Sequence, residues 1–159
     1  MGDAFPDTQR VLLLEALADK TGFDRAILGS SGSDGVEAAL KTGRILSGRA
    51  GVLSFSGGYH GLSYGSLAVT GYHREAFQAP FVDQLGTHVK VAQFGGKIPD
   101  LSDIGTIIVE PIQGRGGIRV PPTGWLAALA DAARAASAVL IFDEVYTGFG
   151  RTGDWFAFQ

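Results

Sequence analysis

Short apolar runs alternate along this chain with stretches of helical periodicity. Asp7 or Thr8 can cap a helix that runs to about Lys20, with Gly22 as its stop. Ala26 to Leu28 is a short apolar strand candidate, and Ser33 or Asp34 opens a second helix through about Leu46. Gly51 to Phe55 reads as a strand, while His60 to Val69 is ambiguous, with a helix as one reading. Val89 to Phe94 and Thr106 to Val109 have strand character. Pro121 and Pro122 precede a helix from about Gly124 to Ala136. Ala138 to Phe142 is a continuous apolar run, the pattern of a strand buried on both faces. Alternating elements of this kind predict an α/β fold: a mostly parallel sheet with helices on both faces, in one domain spanning 1–159.

The polar and glycine-rich clusters fall after the predicted strands. Ser30-Ser31-Gly32-Ser33 follows the first, Ser56-Gly57-Gly58-Tyr59-His60-Gly61 the second, Glu110-Pro111 another, and Asp143-Glu144 the last. Ligands in open α/β sheets bind outside the carboxyl ends of the strands, so these clusters predict one shared crevice.

Composition narrows the choices. Thirteen basic against sixteen acidic residues give a net charge of −3 with no basic run, a poor match to nucleic acid or anionic membranes. No apolar run approaches the length of a membrane span, and Met1-Gly2-Asp3 opens no secretory signal. Pro6 stands where an N-myristoylation pattern wants Ser or Thr. Cysteine is absent, which removes disulfides, thiolate metal sites and a cysteine nucleophile, and suits a reducing, cytoplasmic setting. His60, His73 and His88 lack metal-ligand spacing, so no metal site is expected. The 24 glycines are about twice the average usage of roughly 7%, and they point to turns and close backbone approaches.

Three short motifs match familiar patterns and fail in context. Gly148-Phe149-Gly150-Arg151-Thr152-Gly153 fits G-x-G-x-x-G, but Asp143 to Thr147 separates it from the strand and no clear helix follows. Gly61-Leu62-Ser63-Tyr64-Gly65 fits the hydrolase nucleophile elbow, but five residues part it from its strand, and His73 and His88 precede Asp143. The acidic end of Val139 to Glu144 resembles a magnesium-holding strand end, yet the phosphate loop it requires is missing.

Ser31-Gly32-Ser33 leads directly into a helix N-terminus, where free N–H groups and the dipole can hold a phosphate. An ordinary N-cap fits equally well, and Asp34 and Glu37 would repel a phosphate if they faced it. Asp143, at the end of an apolar strand, needs a partner, because buried carboxylates are rare unless paired. Tyr59 and His60 place a ring and an imidazole at another strand end.

Together these segments resemble the class III, fold-type I aminotransferases, which use pyridoxal 5′-phosphate. The matching text is Ser31 to Ala39, Tyr59-His60-Gly61, Glu110-Pro111-Ile112-Gln113-Gly114 with Gly116-Gly117, Pro121-Pro122, and Asp143-Glu144-Val145-Tyr146-Thr147-Gly148-Phe149-Gly150-Arg151-Thr152-Gly153. The likeness covers nearly the whole chain. It implies that backbone groups of Gly32 and Ser33 hold the cofactor phosphate. Tyr59 would stack on one face of the pyridine ring and Val145 would pack on the other. Asp143 would pair with the ring nitrogen, His60 would belong to the cofactor-binding set, and Glu110 would orient ring and substrate, so that Asp143 and Glu110 are the catalytic candidates. The implied reaction moves an amino group from an amine or amino acid donor to a keto acid acceptor, in a homodimer.

Some positions depart from the family pattern. Gly35 replaces a usual alanine, and Tyr146 stands where another residue often contacts the cofactor. Lys20, Lys41, Lys90 and Lys97 are the chain's lysines, and none matches the Schiff-base lysine, which lies beyond the Asp-Glu motif in the family. The resemblance therefore implies an internal piece of the large domain, inactive alone, without the small domain or the lysine segment. A racemase, aminomutase or decarboxylase on the same scaffold, and a non-catalytic cofactor-binding or interaction module, are the alternatives.

Overall fold

The computed structural model describes residues 7–159, so the reading of Met1 to Asp3 and Pro6 lies outside the described residues. Helix α1 covers Thr8–Thr21, α2 Gly32–Ser47, α3 Tyr64–Val69, α4 Arg74–Gln78 and α5 Trp125–Ala135. Strands are β1 Gly51–Phe55, β2 Val89–Ala92, β3 Ile104–Val109 and β4 Val139–Phe142, with a 3-10 turn at Ala79–Phe81. The caps follow local chemistry. The Asp7 carboxylate accepts the Arg10 N–H and Gly22 closes α1 in the left-handed conformation, while the Ser31 hydroxyl accepts the Asp34 N–H at the start of α2.

All four strands are parallel in the order β2-β1-β3-β4. Alternate residues face opposite ways. Leu53, Phe55, Ile107 and Val109 pack with Phe94, Trp125 and Leu129 under α5. On the other face Ile108 packs with Val36 of α2 and Val69 of α3, joined by Val52 and Ile141. Each large side chain fully buried in this way stabilises the fold by roughly 1.5–3 kcal/mol. The two central strands send the chain to opposite sides, β1 into α3 and β3 toward α5, with β1 and β3 adjacent. A crevice opens at such a switch point, beyond the carboxyl ends of the strands.

Several sequence expectations need correction. Ala26 to Leu28 is not a strand: it pairs with nothing in the sheet, and Ile27 is 77% exposed. The serine-glycine cluster therefore begins a helix without ending a strand. Only Tyr64–Val69 of the ambiguous 60–69 stretch is helical, because Gly61 and the preceding loop take conformations set by tertiary contacts. The strand at Val89 ends at Ala92. β4 is only half-buried, because it lies at the sheet edge, and the fully buried strand is β3. The short α4 and the 3-10 turn carry no periodic signal in the sequence. Among the described residues no helix is long and apolar enough to cross a membrane. No group of three or more potential metal ligands occurs among them.

One close approach fixes how α2 lies on the sheet. Gly43 is buried against β3, and a Cβ there would come within 2.5 Å of Thr106 Oγ1 and 2.8 Å of its Cγ2. Gly43→Ala should cost roughly 1–3 kcal/mol in overpacking, offset by about 1 kcal/mol of helix propensity. The expected net is a lowered urea midpoint, largely restored by Thr106→Ala, which removes both nearest atoms. A Gly43→Ala variant as stable as the parent would contradict this packing.

Candidate functional site

The loop after β1 and the end of β4 meet through a buried polar contact. His60 Nδ1 lies 2.6 Å from Asp143 Oδ2, and the two side chains are 1% and 4% exposed. A carboxylate oxygen accepts, so the imidazole proton in this contact sits on Nδ1. The other oxygen, Oδ1, accepts the Val145 N–H at 3.2 Å. His60 is itself held, since its backbone N–H donates to Thr70 Oγ1 at 3.1 Å. Asp143 thus has its partner, an imidazole from a strand end 83 residues earlier in the chain.

Glu110, at the end of β3, is a second buried carboxylate. Its Oε2 accepts the Tyr59 N–H at 3.0 Å and its Oε1 the Gly114 N–H at 3.4 Å. Burial raises its pKa first of all, and the Asp143 charge adds to this, while the two backbone N–H groups and His60 oppose it. The hairpin that follows is closed by paired backbone bonds between Gln113 and Arg119 and pinned by Gln113 Nε2 donating to the Ser56 carbonyl at 2.9 Å. On that hairpin the Arg115 guanidinium lies 4.2 Å from the Tyr59 ring centroid. The Tyr146 ring packs on Gly114 so closely that a Cβ there would come within 2.8 Å of it.

The N-terminus of α2 forms the third wall. Among the described residues no hydrogen bond engages the N–H groups of Gly32 and Ser33. The two acidic residues of this helix both accept backbone N–H groups. Asp34 accepts the Ser30 N–H at 3.0 Å. Glu37 Oε1 takes the Gly65 and Ser66 N–H groups at 2.6 and 3.2 Å, capping α3. Glu37 is thus drawn away to α3, while the Asp34 carboxylate stays in the first turn of α2 beside Ser30. A Cβ on Gly32 would touch Val145 Cγ2 at 3.1 Å, which places the strand-β4 loop beside it. Gly61, at φ +117°, passes so close to Ser33 Oγ that a Cβ would fall 2.1 Å from it.

The structure brings Tyr59, His60, Glu110 and Asp143 together through direct contacts, and sets Gly32 beside Val145 and Ser33 beside the Gly61–Leu62 loop. Chain positions alone gave no sign of Thr70 behind His60 or of Glu37 capping α3, since both contacts are long-range or specific to the loop path. Arg115, flanked by Gly114 and Gly116 five residues after Glu110, carries no sequence signal that sets it against Tyr59. Ser63 bonds Glu37 Oε1 and lies 2.9 Å from Ser66 Oγ with no imidazole partner, so the nucleophile-elbow match has no machinery behind it. Residues 148–153 form consecutive turns and bends, without the strand-to-helix setting of a dinucleotide site. Glu144 accepts the Ala157 and Phe158 N–H groups and the Thr147 hydroxyl, which makes it the anchor of the C-terminal turns.

The raised Glu110 pKa carries a sign. The folded state favours its protonated form, so its contribution to stability is fully present below the ordinary Glu pKa and is lost as pH rises through the raised value. Glu110→Gln should flatten the fall in denaturation midpoint over that window. An unchanged pH slope would contradict the assigned burial.

The sequence profile of the family "Aminotransferase class-III" matches residues 1–159. The chain is 39% identical over 155 residues to an acetylornithine aminotransferase of Archaeoglobus fulgidus, covering 94% of this chain and 40% of that protein. It is 36% identical over 146 residues to the acetylornithine aminotransferase of Methanosarcina acetivorans, covering 89% of this chain and 36% of the relative. The fold superimposes with a TM-score of 0.82 at 29% identity on an amine transaminase from an uncultivated Pseudomonas species in its pyridoxal-phosphate-bound form, covering 99% of this chain and 43% of that one. The chain thus spans well under half the length of these relatives.

Proposed function

The chain belongs to the class-III aminotransferase family, and we propose that it is the cofactor-binding part of a pyridoxal-phosphate enzyme that moves an amino group from an amine or amino acid to a keto acid. The observation that carries this reading is Asp143. It is a buried carboxylate with one oxygen on His60 and the other on the Val145 N–H, next to a helix N-terminus with unengaged N–H groups. These residues fit the cofactor's two charged ends. Gly32 and Ser33 N–H groups would hold the phosphate, where the helix dipole favours an anion.

A carboxylate offers about four acceptor sites, so Asp143 keeps capacity for a ring N–H after its two internal bonds. It would hold a proton on that ring nitrogen, and His60 would fix the carboxylate's direction. Bound in this way, the cofactor supplies an electron sink for the substrate's α-carbon. Tyr59 and Val145 would cover the two ring faces and exclude water. Glu110 would keep Tyr59 and the hairpin in place through its two backbone contacts, at the substrate's edge of the ring.

The amine that joins the cofactor covalently is assigned to a segment outside these 159 residues. Among the described residues none of Lys20, Lys41, Lys90 and Lys97 bonds to Tyr59, His60, Glu110 or Asp143. The working enzyme is read as a cytoplasmic homodimer, in keeping with the family pattern.

Full-length protein titrated with pyridoxal phosphate should show saturable visible absorbance and convert an amine plus a keto acid to the exchanged pair. Asp143→Asn should cut turnover by about 10²- to 10³-fold, the usual loss when one preorganised electrostatic partner is removed. Parent-level turnover in that variant, or no cofactor uptake by the parent, would overturn the reading.

A further inference from the structure

We propose that Glu37 is a positioning residue for the cofactor. From α2 it holds α3, and through α3 the backbone of His60, so it fixes the span between the helix end assigned to the phosphate and the carboxylate assigned to the ring nitrogen. The inference rests on the crevice described above being the cofactor site. Helix α3 has no cap of its own, because its N-cap residue Ser63 makes no capping bond to the helix backbone. The two N–H groups that a capping side chain normally takes, those of Gly65 and Ser66, donate instead to Glu37 Oε1 at 2.6 and 3.2 Å. The Ser63 hydroxyl donates to the same oxygen at 2.9 Å. The cap of one helix is therefore a side chain of another.

From this cap an unbroken run of hydrogen bonds leads to Asp143. Ser66 gives its N–H to Glu37, and its carbonyl accepts the Thr70 hydroxyl at 2.9 Å. Thr70 Oγ1 in turn accepts the His60 N–H at 3.1 Å, and the His60 ring meets Asp143 Oδ2 at 2.6 Å. Ser66, Thr70, His60 and Asp143 are all buried, so water does not compete along the run.

The other end of the run is the α2 N-terminus. Ser33 and Glu37 stand four residues apart, on one face of the helix. Ser33 Oγ accepts the Leu62 N–H at 3.3 Å, so both side chains of that face grip the stretch from Gly61 to Ser66. The grip leaves no slack. A Cβ on Gly61 would fall 2.1 Å from Ser33 Oγ, and one on Gly65 would fall 2.6 Å from Glu37 Oε2 and 2.7 Å from Oε1. Gly65 is not among the residues with positive φ, so glycine is there for the close approach of the carboxylate and not for an unusual backbone. The phosphate and the ring nitrogen belong to one small molecule, so a site that takes both must present their partners at a set spacing. Misplacement of about 1 Å, even by a change remote from the chemistry, can cost on the order of 10²-fold in rate.

The test uses full-length protein as parent, Glu37→Gln, Glu37→Ala, Gly65→Ala and the double variant Glu37→Ala with Gly65→Ala. Glu37→Gln keeps the accepting oxygen and drops the charge. Gly65→Ala pushes the carboxylate aside with a methyl group at a helical position that otherwise favours alanine. Pyridoxal phosphate affinity should fall by about 10- to 100-fold in Glu37→Ala and in Gly65→Ala, the scale of losing hydrogen bonds to a charged group. The double variant should lose no more than either single one, because both remove the same contact. Glu37→Gln should bind close to the parent. Inorganic phosphate, which probes the α2 end alone, should bind all forms alike. Isotope-edited NMR of the folded proteins should show the His60 Nδ1 proton exchanging faster with solvent in the two alanine variants and not in Glu37→Gln. Parent-like cofactor affinity and His60 exchange in Glu37→Ala would overturn the inference. So would Glu37→Gln as impaired as Glu37→Ala, which would assign the effect to charge, or phosphate affinity lost in step with cofactor affinity. If Glu37→Ala does not fold, the contrast between Glu37→Gln and Gly65→Ala decides. If the parent takes up no cofactor, the functional reading fails by itself, and His60 proton exchange in the cofactor-free protein still decides whether Glu37 holds His60.

Discussion

The contact between His60 and Asp143 is the constraint around which the crevice is organised. It joins the loop after β1 to the end of β4, across the end of the intervening strand β3, at 2.6 Å and out of reach of water. An isolated carboxylate at that depth would carry a large desolvation cost, so its placement demands partners with good geometry. The partners come from two directions, an imidazole and a backbone N–H, and each is secured in turn. Thr70 holds the His60 backbone, and the turn that begins at Asp143 supplies the Val145 N–H. Loosening any of these would leave a buried charge underpaired, which is why the loop after β1 has little freedom in its path.

Glu110 organises the other half of the crevice by the same logic with different chemistry. Its oxygens accept only backbone N–H groups, so it fixes main chain and leaves side chains free to point outward. Tyr59 and Arg115 are the side chains so freed. The two carboxylates are close enough for the Asp143 charge to act on Glu110, yet they serve separate ends: one orients a side-chain acceptor inside the crevice, the other shapes its rim. Electrostatic sites gain from such division, since dipoles fixed before a ligand arrives need no reorganisation when it binds.

The sheet explains why these groups converge. β3 is buried on both faces, and β1 and β3 send their connections to opposite sides. Function is carried by the loops beyond the strand ends, while packing such as Gly43 against Thr106 sets the layer spacing beneath them. The acidic residues of α2 show how tertiary contacts settle a local ambiguity. Asp34 and Glu37 both look hostile to an anion when read in sequence; Glu37 is drawn off to cap α3, while Asp34 stays in the first turn with its carboxylate on the Ser30 N–H.

The helix expected to open at Ser33 or Asp34 begins at Gly32 behind a Ser31 cap, but the strand-helix alternation, the Asp7 cap and Gly22 stop of α1, and the polar clusters beyond β1, β3 and β4 are legible in the sequence. These follow from near-neighbour physics: side-chain periodicity, capping hydrogen bonds and glycine's tolerance of the left-handed conformation. Family likeness suggested the roles proposed for Asp143, Glu110, Tyr59 and the α2 N-terminus. Long-range packing settles that Ala26 to Leu28 finds no strand partner and that β4 stands at the sheet edge, half-buried. It also settles that His60 is the partner of Asp143, and that Arg115 rests on Tyr59 while Arg119 reaches the Ser56 carbonyl. Each of these depends on which distant segments become neighbours, and an apolar run or a glycine-flanked cation reads the same in sequence whatever packs against it.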